Sequence, residues 1–158
     1  MFIQNVAMID IPRGDHMDAG ERGMLIQILD PCMQFPVPKA KFEIIKQFEF
    51  LDVEPGGRAN LATDQNYDNL EEFAMTEAQA KEIVSLLKQA LEERRNVVVH
   101  CFAGICRSGA VTEVGVMMGF QDTERYRQPN VHVKQLLMNE LGWSYNEQFE
   151  RQPYNVIG

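Results

Sequence analysis

The chain is 158 residues long, 45% hydrophobic and 24% charged, the size and composition of one globular domain with a sizeable core. Its net charge of −8 and pI near 4.9 argue against a nucleic-acid duplex or an anionic membrane as the main partner. No apolar run approaches the roughly 18 residues of a membrane span, Met1-Phe2-Ile3-Gln4-Asn5 has no basic region before an apolar core and so reads as no signal peptide, and three cysteines make no disulfide framework, so a reducing cytoplasm is the expected compartment.

Phe2 to Ile9 reads as a first strand. Asp10 to Gly23 holds Pro12, Gly14, Gly20 and Gly23 and reads as loop with one helical turn. Met24 to Leu29 is a mostly apolar strand, stopped by Asp30-Pro31, and Cys32 to Ala40 is a proline-bearing connector. A third strand falls at Lys46 to Leu51, where Phe48 and Phe50 alternate with Gln47 and Glu49. Val53 to Met75 carries Pro55-Gly56-Gly57, several acids and no apolar period; a loop of that length in a compact domain is usually functional or mobile.

Thr76-Glu77-Ala78-Gln79 has the form of a capping box. Ala80, Ile83, Val84, Leu87 and Leu91 continue it as one apolar stripe at helical spacing, ended by Arg94-Arg95-Asn96. Val97-Val98-Val99 is apolar at every position, which predicts a strand buried on both faces, in the middle of a sheet covered by helices. Ala110 to Met118 is compatible with a helix, and Gly119 to Gln128 is a polar connector. Pro129-Asn130 precedes a second amphipathic helix with Val133, Leu136, Leu137 and Leu141 on one side and Gly142 past its end. Ser144 to Phe149 reads as one more short helix. The pattern predicts an α/β fold: a central, mainly parallel sheet flanked by helices, with a loop at the carboxyl end of a central strand, where ligands sit in such folds.

That loop is His100-Cys101-Phe102-Ala103-Gly104-Ile105-Cys106-Arg107-Ser108. A strand, a glycine-bearing loop and a helix start aim backbone N–H groups at one spot and favour an anion there. The same field favours the thiolate of Cys101, and Arg107 offers a planar fork of donors to phosphate oxygens. A nucleophile and an oxyanion clamp in one loop point to attack on a tetrahedral oxyanion ester.

The run resembles the H-C-x5-R-[S/T] signature of the cysteine-dependent protein tyrosine and dual-specificity phosphatases, and the chain is similar to their small single-domain microbial and viral types. Phe48 to Pro55 resembles the strand and movable acid loop that carries the family's catalytic Asp. Arg127-Gln128-Pro129-Asn130, with Val133 and Gln135-Leu136, resembles the Pro-Asn helix start of the dual-specificity group. The resemblance implies one phosphatase domain over residues 1–158, with no cofactor and no metal, acting on a phosphorylated protein or another phosphomonoester.

In that reading Cys101 is the nucleophile that forms a phosphocysteine, and Arg107 binds two phosphoryl oxygens. Phe102, Ala103, Gly104, Ile105 and Cys106 line the phosphate site, Gly104 turning the amides inward. Ser108 donates to the Cys101 sulfur, or simply caps the helix; His100 supports the loop by hydrogen bonding, or is merely packed, and Asn130 supports the loop. The general acid is Asp52, which follows a strand and precedes Pro55, with Asp64 and Asp68 as alternatives. The Ile105-Cys106-Arg107-Ser108 tetrad also resembles the low-molecular-weight phosphatases, so a reversible Cys101–Cys106 disulfide stands beside a small loop filler as the reading of Cys106. Cys32, His100, Cys101, Cys106, His16 and His132 show no paired zinc-ligand spacing. Protein phosphotyrosine is the first substrate expected; a phosphoinositide, an RNA 5′ phosphate, and a non-catalytic phosphate-binding module are the alternatives. Arsenate reduction and sulfur transfer fit His100, Arg107 and Ser108 less well.

Overall fold

The computed structural model describes residues 1–54, 58–60 and 70–145. In chain order the elements are β1 (Phe2–Ala7), α1 (Asp10–Arg13), β2 (Met24–Leu29), β3 (Ile44–Glu49), β4 (Asp52–Glu54), β5 (Arg58–Asn60), a 3-10 turn at Leu70–Phe73, α2 (Glu77–Glu92), β6 (Val97–Cys101), α3 (Arg107–Met118), β7 (Gln121–Asp122) and α4 (Val131–Glu140). Five strands form one sheet in the order β3-β2-β6-β1-β7, every pairing parallel, and β4 and β5 form a separate antiparallel pair. The predicted α/β architecture is therefore the one found.

β6 takes the middle place because all its side chains can be buried. Val97 and Val99 face one side, in a core with Ile3, Ile26 and Ile28, where α2, α3 and α4 contribute Ile83, Leu87, Val111, Val114, Val133 and Leu137. Val98 faces the other side, with Phe2, Val6, Ile11, Ala19 and Leu25. Full helical cover is thus present on one face only. On the second face the cover is α1, Ala19 and the partly buried Phe42, because α1 stops after four residues at Gly14, whose φ of 72° ends the helix.

The capping box forms as predicted: Thr76 Oγ1 accepts from Gln79 N–H at 3.1 Å and Gln79 Oε1 accepts from Thr76 N–H at 3.0 Å. Such a cap contributes about 1 kcal/mol. Several boundaries move. β1 ends at Ala7, where its N–H turns to Asp10 Oδ2 (3.0 Å). β3 runs from Ile44 to Glu49, two residues earlier than the Phe alternation suggests; Phe50 N–H makes the last bond to β2 (Leu29 O, 3.1 Å), and Leu51 N–H turns instead to Phe73 O at 2.7 Å. α3 starts at Arg107 and not at Ala110, and the 119–128 connector contains β7. Ser144 and Tyr145 are not helical, and the rest of the short helix expected there lies outside the described residues.

The carboxyl ends of β1, β2, β3 and β6 share one edge of the parallel sheet. Ala7, Leu29-Asp30, Phe50 and Cys101 meet there, and the site is built on that edge.

Candidate active site

Cys101 is the last residue of β6 and is buried; Arg107 is the first residue of α3. Four carbonyls of the loop between them are tied to the surrounding protein. Phe102 O accepts from Met8 N–H (3.1 Å), Ile105 O from Gln128 N–H (3.1 Å), and Cys106 O from Asn130 N–H (2.9 Å). Gly104 O accepts from Asn5 Nδ2 at 2.7 Å. In a trans peptide the next N–H points the opposite way. The amides of Ala103, Ile105, Cys106 and Arg107 therefore face away from the body, into the concave side of the loop. Gly104 N–H already points at Cys101 Sγ (3.3 Å), and Ser108 Oγ lies 3.1 Å from the same sulfur. Gly104 is required twice over: its φ is +76°, and a Cβ there would come within 2.4 Å of the Val6 carbonyl carbon.

Asn5 escaped the sequence reading. It is fully buried on β1, and its amide holds both Gly104 O and Tyr126 O (3.0 Å), joining the loop to the 122–127 connector. Its signal was present: a fully buried amide in a mostly apolar strand must find partners. His100 Nδ1 lies 3.2 Å from Cys101 O. Burial, opposed by that backbone bond and helped by the Arg107 charge, pushes the His100 pKa down to about 4. At neutral pH the ring is uncharged and donates Nδ1–H to the carbonyl, a supporting bond and not a proton relay.

Arg107 is buried and anchored by one nitrogen. Its Nη1 donates to Asp30 Oδ1 at 2.8 Å and to Phe50 O at 2.6 Å. Its Nε, equally buried, has no partner among the described residues. A buried guanidinium with an unsatisfied edge is costly unless an anion completes it. Asp30, also fully buried, was read in sequence only as the stop of a strand; its place at the end of β2, beside β6, is what brings it to Arg107.

Asp52, which the resemblance places on a movable acid loop, lies in the short strand β4 and is 6% exposed, with the residues around it held by hydrogen bonds. Phe50 O is held by Arg107, Leu51 N–H by Phe73 O, and Val53 O by Asn130 Nδ2 at 3.1 Å. Phe50, Leu51 and Val53 are all buried, which is why the segment docks instead of projecting into solvent. Asn130 Nδ2 also donates to Asp52 Oδ1 at 2.5 Å. The Cys106 side chain hydrogen-bonds to Asp52 as well; burial first, then the Asp52 and Cys101 charges, push the Cys106 thiol up to about 12. A thiol so firmly protonated is a slow partner in disulfide exchange. Cys101 and Cys106 are both free, as is the exposed Cys32.

Phe102 and Ala103 are exposed at the rim, Ile105 and Cys106 half-buried. Asp64 and Asp68 lie outside the described residues. Among the described residues no three His, Cys, Asp or Glu side chains converge as a metal-ligand group, and no helix is long and apolar enough to cross a membrane.

No protein-family model and no curated protein matches the chain. Solved structures do. Human DUSP28 aligns over 93% of this chain and 85% of its own, with a TM-score of 0.50 and 14% identity. OH1 from the Orf virus, a tyrosine phosphatase with triple substrate specificity, aligns over 74% of this chain and 56% of its own (TM-score 0.44, 18% identity). Tk-PTP in its active form aligns over 95% and 86% (TM-score 0.41, 12% identity). The likeness to human DUSP28 is one of fold: the chain shares its α/β arrangement of a mostly parallel sheet flanked by helices.

Proposed function

We propose that the protein is a cysteine-dependent phosphomonoester hydrolase of the protein tyrosine or dual-specificity phosphatase type, its one domain spanning residues 1–158. The observation that carries the reading is that one loop holds both Cys101 Sγ and a buried, unpartnered Arg107 Nε, with four of its carbonyls tied outward. Inward amides and an open guanidinium edge suit a dianionic phosphoryl group beside the sulfur of the same loop.

In the first step Cys101 Sγ attacks phosphorus and the bond to the leaving oxygen breaks. That oxygen takes its proton from Asp52. Arg107 and the amides of residues 103–107 carry the charge that grows on the equatorial oxygens. In the second step water attacks the phosphocysteine, gives a proton to Asp52, and the S–P bond breaks. The Ser108 hydroxyl, 3.1 Å from Sγ, stabilises the departing thiolate. The exposed Phe102 stands next to the nucleophile and offers an aromatic rim to a flat phosphoaryl group, which favours protein phosphotyrosine as substrate.

Hydrolysis of 4-nitrophenyl phosphate tests the proposal. The intact protein turns over; Cys101→Ser and Arg107→Ala lose at least about 10³-fold. Asp52→Asn loses more than Asp64→Asn or Asp68→Asn; the reverse order overturns the acid assignment. A protein that binds phosphotyrosyl peptide but hydrolyses nothing is the phosphate-binding module instead.

A further inference from the structure

Asn130 is fully buried and spends every polar atom. Its Oδ1 caps α4 by accepting from Val133 N–H (3.0 Å). Its Nδ2 donates to Asp52 Oδ1 (2.5 Å) and Val53 O (3.1 Å), and its backbone N–H donates to Cys106 O (2.9 Å). The next residue, Val131, gives its N–H to Glu54 Oε1 at 3.1 Å. Three consecutive residues of β4 are thereby fastened to the start of α4, and the start of α4 is fastened to the phosphate loop. From the loop side, the Cys106 thiol reaches the same carboxylate. Asp52 is held between a side chain of the loop and a side chain of the helix cap.

We infer that Asn130 and Cys106 are positioning residues that fix the Asp52 carboxylate at the rim of the phosphate loop, so that the acid is set by the fold itself and not by a closing loop. The inference rests on the phosphatase reading above and deepens it. A general acid has to lie within hydrogen-bond reach of the leaving oxygen, and small displacements are costly in rate. The Asn130 amide has the two donors needed to hold the carboxylate and the adjacent carbonyl at once. The Cys106 thiol adds a donor from the phosphate loop. Cys106 precedes α3 and makes no side-chain cap, so its truncation leaves that helix start intact.

The readout is the ratio of turnover rates on phenyl phosphate and 4-nitrophenyl phosphate. Phenol leaves poorly without a proton; 4-nitrophenolate leaves well without one. Serine caps a helix as well as asparagine does but lacks the amide donors. In Asn130→Ser the phenyl-to-nitrophenyl ratio falls about tenfold. In the Asp52→Asn background the same substitution lowers the ratio no further, which shows that it acts through Asp52. Cys106→Ala lowers the ratio about threefold, and decides the matter if Asn130→Ser fails to fold. An unchanged ratio in both variants, or a further fall on top of Asp52→Asn, overturns the inference while leaving the phosphatase reading standing. If the intact protein hydrolyses neither ester, the phosphatase reading itself falls and takes this inference with it.

Discussion

The phosphate loop and the acid segment are built in opposite ways. The loop is one contiguous run, from Cys101 to Ser108, and its nucleophile, anion-facing amides and guanidinium are neighbours in sequence. The acid segment, from Phe50 to Val53, is held by partners 57, 77 and 78 positions away: Arg107 on Phe50 O, Asn130 on Val53 O, and Asn130 on Asp52. The loop carries its chemistry in its own residues. The acid segment acquires its position only when β2, α3 and α4 come together around it. A contiguous site has a pattern that can be read; a site assembled across the sheet edge leaves only single residues of ordinary appearance.

The comparison can be broken from the loop side first. If the loop's shape is as constrained as its bonds imply, Gly104→Ala should do the most damage. It forces an L side chain to φ +76° and drives a Cβ into the Val6 backbone. The expected cost is roughly 3 kcal/mol of stability, with activity lost even in the folded fraction. Chemical denaturation alongside rate measurement checks this, and a fully active, equally stable Gly104→Ala protein would show the loop to be adaptable.

Asp30→Asn probes the join between the two regions. Asparagine keeps the shape but removes the charge that holds Arg107, whose Nη1 also anchors Phe50 O. We expect kcat/KM to fall about 30-fold, some 2 kcal/mol of transition-state stabilisation. The midpoint of unfolding is the control, since a pure stability effect would move it without touching kcat/KM of the folded protein.

An effect of similar size is a pH dependence of stability from His100. Its folded pKa of about 4 lies below the unfolded value of about 6.5, so protons bind the unfolded chain first. The neutral-ring contribution is complete above pH 6.5 and is lost as pH falls toward 4. Between pH 7 and pH 5 the protein should lose about 2 kcal/mol through this residue alone. His100→Gln should show a shallower decline over that interval in urea titrations; parallel curves for the two proteins would assign the acid sensitivity to other groups.

The residues themselves explain how much could be read in advance. Val97 to Val99 announced the central strand because burial on both faces demands apolar residues throughout. Thr76 and Gln79 announced α2 because a capping box is local. Cys101, Arg107 and Gly104 were legible for the same reason. Asn5 and Asp30 were not, since their partners lie 99 and 77 positions away, and neither differs in type from the many structural amides and carboxylates of any chain. The extent of β3 was misjudged because alternating Phe48 and Phe50 look alike in sequence, yet only Phe48 lies in the ladder, and Phe50 belongs to the turn that carries its carbonyl to Arg107. The docking of the acid segment was not legible either, because it rests on the burial of Phe50, Leu51 and Val53 among partners from distant elements.

The most direct test of the central claim is to trap the covalent intermediate. The intact protein is mixed with an aryl phosphate, quenched in acid within the first turnover, and digested for mass spectrometry. The account predicts a phosphoryl group on the peptide that contains Cys101, carried by the sulfur and absent in Cys101→Ser. Turnover of the ester with no phosphoryl group on Cys101 would contradict it.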